Sequence, residues 1–299
     1  MDETGMPSSR RTLLRWCVAG SFAGVAGCLG GGDDTAEDDQ PPDDERTDNE
    51  PTDEELPDLF ELAGDGTVPF AEWLAPEAPH GDGNGRETLF VYQDFAEGIE
   101  QGWQAIEIHR QNLADSTGTD PDSHEGELLI GVSGSEGGMG EIYVGEFDSN
   151  SVVEHLESQG GSVTGEYEGY TVVGDELAVG DDAIILTPEY EHFIDARHGG
   201  GPHLRDEVPA VSLILDLQPA GPQLSASRRE DDSSIAATAT TFTDIDDGGS
   251  PQRAIRTFVF ESAEAASVER AEESLGEDAT QRILTDEKHG RVVMVEYET

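Results

Sequence analysis

Short apolar runs separated by glycine-, serine- and acid-rich breaks dominate the chain from residue 87 onward. "ETLFVYQDF" (87–95), "ELLIGVSGS" (127–135), "EIYVGEF" (141–147), "EYEGYTVVG" (166–174), "DDAIILT" (181–187), "AVSLILDL" (210–217), "SIAATATTFTD" (234–244), "AIRTFVFES" (254–262), "QRILTDE" (281–287) and "RVVMVEYE" (291–298) each read as a strand. They are short, several alternate, and β-branched and aromatic side chains fill them. Most are joined by turns, whereas parallel strands need long crossovers. The expected fold is α+β, with mainly antiparallel sheets and helices on one face.

Helical periodicity is confined to a few places. At 151–159, Val152, Val153 and Leu156 share a face. Residues 188–198 and 263–275 repeat the pattern. Residues 95–114 are a weaker helix, favoured by Ile99, Trp103 and Ile106 and opposed by Gly98 and Gly102.

Two stretches are alike. The one beginning at Gly140 and the one beginning at Ala254 each read strand, polar cap, helix, glycine, strand, turn, strand. The preceding strands correspond as well, 127–135 with 234–244 and 87–95 with 210–217. The expectation is an internal duplication of a β-β-β-α-β-β unit with a period near 114 residues. The first half covers 86–198 and the second 207–299, after a short helical lead-in at 57–85.

Charge sets the medium. The chain has 66 acidic and 16 basic residues, a net charge of −50, and Lys288 is its only lysine. Such a chain repels itself in dilute buffer. In molar salt the Debye length falls to about 3 Å, and the repulsion is screened. Residues 29–56 hold thirteen acids with glycine and proline and offer nothing to bury. They read as a disordered, self-repelling tether.

The N-terminus supplies an address. Arg10, Arg11 and Arg15 precede an apolar run from Trp16 to Leu29. A spanning helix needs about 20 apolar residues, so this run fits a signal-peptide core instead. Arg10-Arg11, between Ser9 and Thr12-Leu13-Leu14, resembles the twin-arginine export signal. Val25-Ala26-Gly27-Cys28 resembles a lipobox. That resemblance implies cleavage before Cys28 and lipid attachment to its sulfur, with residues 1–27 removed. The remaining chain has 13 basic and 64 acidic residues, a net charge of −51. Cys17 leaves with the signal, so the mature chain has no free thiol. This excludes a disulfide framework, a Cys-ligated metal site and a cysteine nucleophile. With the acidic composition, the chain resembles haloarchaeal exported lipoproteins. The implied location is the outer face of the cell membrane, with lipid and the twin-arginine machinery as partners.

Motifs for chemistry are sparse. A P-loop needs Lys followed by Ser or Thr, and Lys288 is followed by His289. "GDGNG" (81–85) lacks the spacing of a dinucleotide loop. Nucleic acid is excluded as a partner because the surface has the phosphate's own sign. "RHGGGPH" (197–203) is similar to an esterase oxyanion loop, but no Gly-x-Ser-x-Gly elbow accompanies it. "TDIDDGGS" (243–250) begins like a calcium loop, yet Gly248 and Ile255 stand where ligands belong. Glu191, Asp195 and His198 fall at i, i+4 and i+7 of a helix, with His203 five residues on. Two imidazoles and two carboxylates suit a divalent ion, and they are the metal candidates. The competing reading is an acidic solvated helix face. No cofactor is expected.

Three roles stand in order. The first is a non-catalytic surface lipoprotein that binds or scaffolds. The second is the substrate-binding lipoprotein of an importer, disfavoured because the pattern is strand-rich and aromatics are only 6%. The third is a metal-dependent enzyme. A deep cleft between the halves favours the receptor; a continuous closed sheet favours the scaffold.

Overall fold

A computed structural model describes residues 70–76, 80–81, 86–132, 138–217, 219, 221–229, 234–246, 250–273, 282–285 and 290–298. All fall in one compact unit, Leu59–Thr299. The export signal, the lipobox, the acidic tether and the start of the lead-in lie outside the described residues.

The strands are β1 (His80–Gly81), β2 (Arg86–Asp94), β3 (His124–Val132), β4 (Gly138–Gly145), β5 (Val163–Tyr167), β6 (Tyr170–Val173), β7 (Leu177–Val179), β8 (Ala183–Leu186), β9 (Gln223–Arg229), β10 (Ile235–Ile245), β11 (Pro251–Phe260), β12 (Arg282–Thr285) and β13 (Val292–Glu298). The helices are α1 (Phe95–Glu100), α2 (Gln104–Thr117), α3 (Ser149–Ser158), α4 (Tyr190–Arg197), α5 (Leu204–Glu207), α6 (Pro209–Leu217) and α7 (Val268–Glu273). The chain is α+β, and the strands form one antiparallel sheet ordered β12-β13-β11-β10-β9-β2-β3-β4-β8-β7-β6-β5, with β1 added on β2.

β2 and β9 join its two wings, paired from Arg86↔Arg229 to Gln93↔Gln223 with one register shift between Thr88 and Phe90. Outward from that junction, one wing runs β9-β10-β11-β13-β12 and the other β2-β3-β4-β8-β7-β6-β5. In each wing a helix, α7 or α3, follows the third strand, and the chain returns so that its last strand pairs with that third strand.

Helices cover both faces of the sheet, which corrects the one-face expectation. Successive strand residues point to opposite faces. Ile142 and Ile185 pack in one core with Phe193 and Ile194 of α4 and Val211, Ile214 and Leu215 of α6. Their neighbours Tyr143 and Ile184 pack in another, with Phe95 of α1, Ile106 and Leu113 of α2, and Val152 of α3. A third group, Phe258, Phe260, Val293 and Val295 with Ala271 of α7, lies on the side opposite Val259, Val292 and Met294. The cause is connectivity: the segment from β8 back to β9 must cross the sheet, and α4 to α6 make that crossing. Each fully buried Leu, Ile or Phe contributes about 1.5–3 kcal/mol.

Two further expectations change. Residues 210–217 form α6, not a strand. Pro209 opens the helix at a position where a missing N–H costs nothing, and Ala210, Val211, Ile214 and Leu215 bury one face. The strand of the second wing that pairs with β2 is β9. "EYEGYTVVG" is a hairpin, β5 and β6, with Tyr167 opposite Tyr170. Its two turn residues, Glu168 (φ 45°) and Gly169 (φ 93°), both take positive φ, as a two-residue hairpin turn requires. Residues 95–114 split at Gly102, φ 82°, into α1 and α2. Asp94 and Asp148 cap α1 and α3, accepting from Glu97 N–H (2.9 Å) and Ser151 N–H (3.3 Å).

Candidate functional site

The four metal candidates surround α4 without forming a ligand set. Glu191 is exposed on its first turn. Asp195 accepts the Tyr167 hydroxyl at 2.8 Å. His198 caps the helix, its ring 6.4 Å from that of Tyr170. His203 stands before α5, and its buried Nδ1 has no hydrogen-bond partner among the described residues. Among the described residues, no three His, Cys, Asp or Glu side chains are grouped to hold a metal ion. Asp195 is engaged by a tyrosine, and the helix ends at Arg197, one residue before His198. The glycines of "RHGGGPH" close this helix: Gly199 N–H donates to Ala196 O, and Gly200 and Gly201 N–H donate to Asp195 O.

α4 instead borders an aromatic and ionic cluster. Arg197 lies over the Trp73 ring at 5.7 Å and bonds Glu72 and Asp182, the latter at 3.4 Å. The Tyr170 hydroxyl also donates to Asp182. Tyr167 packs edge-on against Tyr190 at 6.3 Å. The Asp195 bond, followed by partial burial and the charges of Asp195, Glu191 and Glu168, pushes the Tyr167 hydroxyl up to about 12. Burial first, then Asp182, pushes Tyr170 up as well. Both phenols stay protonated donors. The cluster pins the β5–β6 hairpin to α4.

A second polar group lies beneath α2, on the opposite face. His109 Nε2 meets Glu127 Oε2 at 2.9 Å, with His109 9% and Glu127 5% exposed. Glu141, on the neighbouring strand, accepts the Tyr143 hydroxyl. Burial lowers His109's proton affinity, but the bond and charge of Glu127, with the charge of Glu141, outweigh it and leave the imidazole raised. Burial also raises Glu141, against the Tyr143 bond. The imidazole bonds one carboxylate, Glu127, and feels the charge of the second, Glu141. It is sealed under the helix, so its use is to seat α2 on β3 and β4.

His124, 2% exposed, follows a different logic. Thr119 Oγ1 meets its Nε2 at 2.7 Å, and among the described residues Nδ1 has no hydrogen-bond partner. Burial, then Arg110 and His109, push it down to about 4, so it is neutral.

The sequence reading named none of these groups. A signal existed: Glu127 and Glu141 stand at strand positions whose alternation faces the core, where an acid requires a partner.

"TDIDDGGS" lies partly outside the described residues. Asp246 accepts Ser250 N–H at 2.8 Å and Gln252 Nε2 at 3.1 Å, as a hairpin loop does.

No family model matches the sequence, and no curated protein matches it significantly. Among solved structures, crystal form I of TP0453 has a TM-score of 0.42 and 10% identity, covering 78% of this chain and 92% of that chain.

Proposed function

We propose that this chain is a salt-adapted lipoprotein, anchored through Cys28 at the outer face of the membrane, with a non-catalytic binding or scaffolding role. The observation that carries the anchor is Val25-Ala26-Gly27-Cys28, placed after a basic start and short apolar run and before an acidic segment. Two acyl chains give stable attachment, since one holds only marginally. Residues 28–56 then hold the folded unit away from the membrane as a charged spacer.

Scaffolding is favoured over an importer receptor by the continuity of the sheet. β2 and β9 pair across the junction of the wings, where a receptor of two lobes would place its cleft. The matching wing orders support the finer reading of a duplicated unit, β2-β3-β4-α3-β8 answering β9-β10-β11-α7-β13. Superposing the two strand sets by rotation about an axis between β2 and β9 tests it; a poor Cα fit removes the duplication.

The anchor is tested by cell fractionation. Cys28→Ala is expected to leave the precursor uncleaved and unlipidated. Arg10-Arg11→Lys-Lys is expected to retain the precursor in the cytoplasm. Normal maturation of either variant removes the corresponding part of the proposal.

A further inference from the structure

Among the described residues, four arginines face carboxylates. Arg110 meets Asp122 at 3.2 Å, Arg197 meets Asp182 at 3.4 Å, Arg205 meets Asp216 at 3.6 Å and Arg253 meets Glu296 at 3.5 Å. Arg256 differs. Its Nε donates to Thr240 Oγ1 at 3.0 Å, and its guanidinium carbon lies 5.7 Å from the Tyr297 ring centre. Among the described residues its Nη1 and Nη2 have no hydrogen-bond partner, and the side chain is partly exposed.

The register explains what surrounds it. Arg256 of β11 stands opposite Thr240 of β10, and Thr240 opposite Ser225 of β9. In the next row, Phe258 stands opposite Thr238, and Thr238 opposite Ser227. Ser227 and Thr238 share a hydrogen bond at 3.1 Å. These rows lie on the face of Phe258 and Val295, between the group under α7 and the group under α2. Neighbouring strands are about 4.8 Å apart, so Arg256, Thr240 and Ser225 span roughly 10 Å. No acidic residue occupies these positions, in a chain with 66 acids.

We propose that Arg256 holds a small oxyanion, a carboxylate or phosphate group, with the Ser225 hydroxyl as a further donor along the row. Thr240 fixes one edge of the guanidinium and Tyr297 covers one face. The remaining edge carries two parallel N–H donors, the geometry that matches a planar oxyanion bidentately. A hydroxyl donates to such an anion without adding charge. In this chain a carboxylate of its own in the row would quench the arginine, and the row is free of one. The inference concerns the sheet alone and does not depend on the lipid anchor.

The test is a titration of the purified full chain in constant molar KCl with sodium acetate and, separately, inorganic phosphate. The readouts are the Arg256 Nε–Hε NMR signal and, in every variant, the backbone amide signals of Thr240 and Ser225 in the same row. A saturable shift with either anion is expected, and the tighter arm names the class. Arg256→Gln is expected to abolish saturation, and Arg256→Lys, which keeps charge but loses the fork, to weaken binding at least tenfold. Should Arg256→Gln fail to fold, Ser225→Ala decides instead: binding weakened several-fold at an unchanged melting temperature. The proposal is overturned by an equal shift from added KCl alone, by the absence of saturation with both anions, or by unaltered binding in Ser225→Ala.

Discussion

His109 of α2 and Glu127 of β3 meet at 2.9 Å in the interior, and the Glu127 bond and charge help to raise the proton affinity of the His109 imidazole. Separating them strands one ion under the helix. Glu127→Leu alone is expected to destabilise the fold by about 3–5 kcal/mol, the usual cost of removing one partner of a buried pair. Adding His109→Phe is expected to recover most of that loss, because the pair is then replaced by packing. Denaturant unfolding of the two single variants and the double variant measures it.

The buried histidines give opposite pH dependences. His109 is raised above its ordinary 6.5, so its contribution is complete below 6.5 and is lost as pH climbs through its folded value. Glu141, raised above 4.5, acts with the same sign from 4.5 upward. His124 is pushed down to about 4, so its contribution is present above 6.5 and lost as pH falls toward 4, on the order of 3 kcal/mol. The difference in unfolding free energy between the wild type and His124→Phe, followed from pH 7 to pH 4, isolates this group from the general relief of carboxylate repulsion. A difference constant across that range contradicts the assignment.

The β5–β6 turn carries a removable cost. Glu168 holds φ 45°, where a side chain with a Cβ costs about 1–2 kcal/mol and asparagine costs less. Glu168→Asn is expected to raise stability by about 0.5–1 kcal/mol, read as a higher melting temperature.

Strand type was legible where alternation was strong, as in β2, β4, β11 and β13. It failed where two physical readings coincide. A short, mostly apolar run, 210–217, suits a buried helix as well as a buried strand, and α6 is the helix. β9, "QLSASRR", gives no strand signal because Ser225 and Ser227, on the face opposite Leu224 and Ala226, belong to the hydroxyl rows and are not apolar. The reach of α4 to α6 across the sheet depends on strand order, which local patterns do not encode. Helical spacing grouped Glu191, Asp195 and His198, but it took no account of where the helix ends or of Tyr167 arriving from β5.

Salt governs the whole account of composition. At 0.01 M ionic strength the Debye length is about 30 Å, and each carboxylate feels many others; at 1 M it feels near neighbours only. The melting temperature at neutral pH is expected to climb steeply from dilute buffer to molar KCl. A flat profile contradicts salt adaptation and points to a specific cation as the countercharge.

The most direct test of the central claim is intact-mass and N-terminal peptide analysis of the chain recovered from the membranes of the cells that make it. The expected result is a mature chain that begins at Cys28, with residues 1–27 absent and a diacylglyceryl-type mass on its sulfur. A chain that retains Met1–Gly27, or begins elsewhere with Cys28 unmodified, contradicts the lipoprotein assignment.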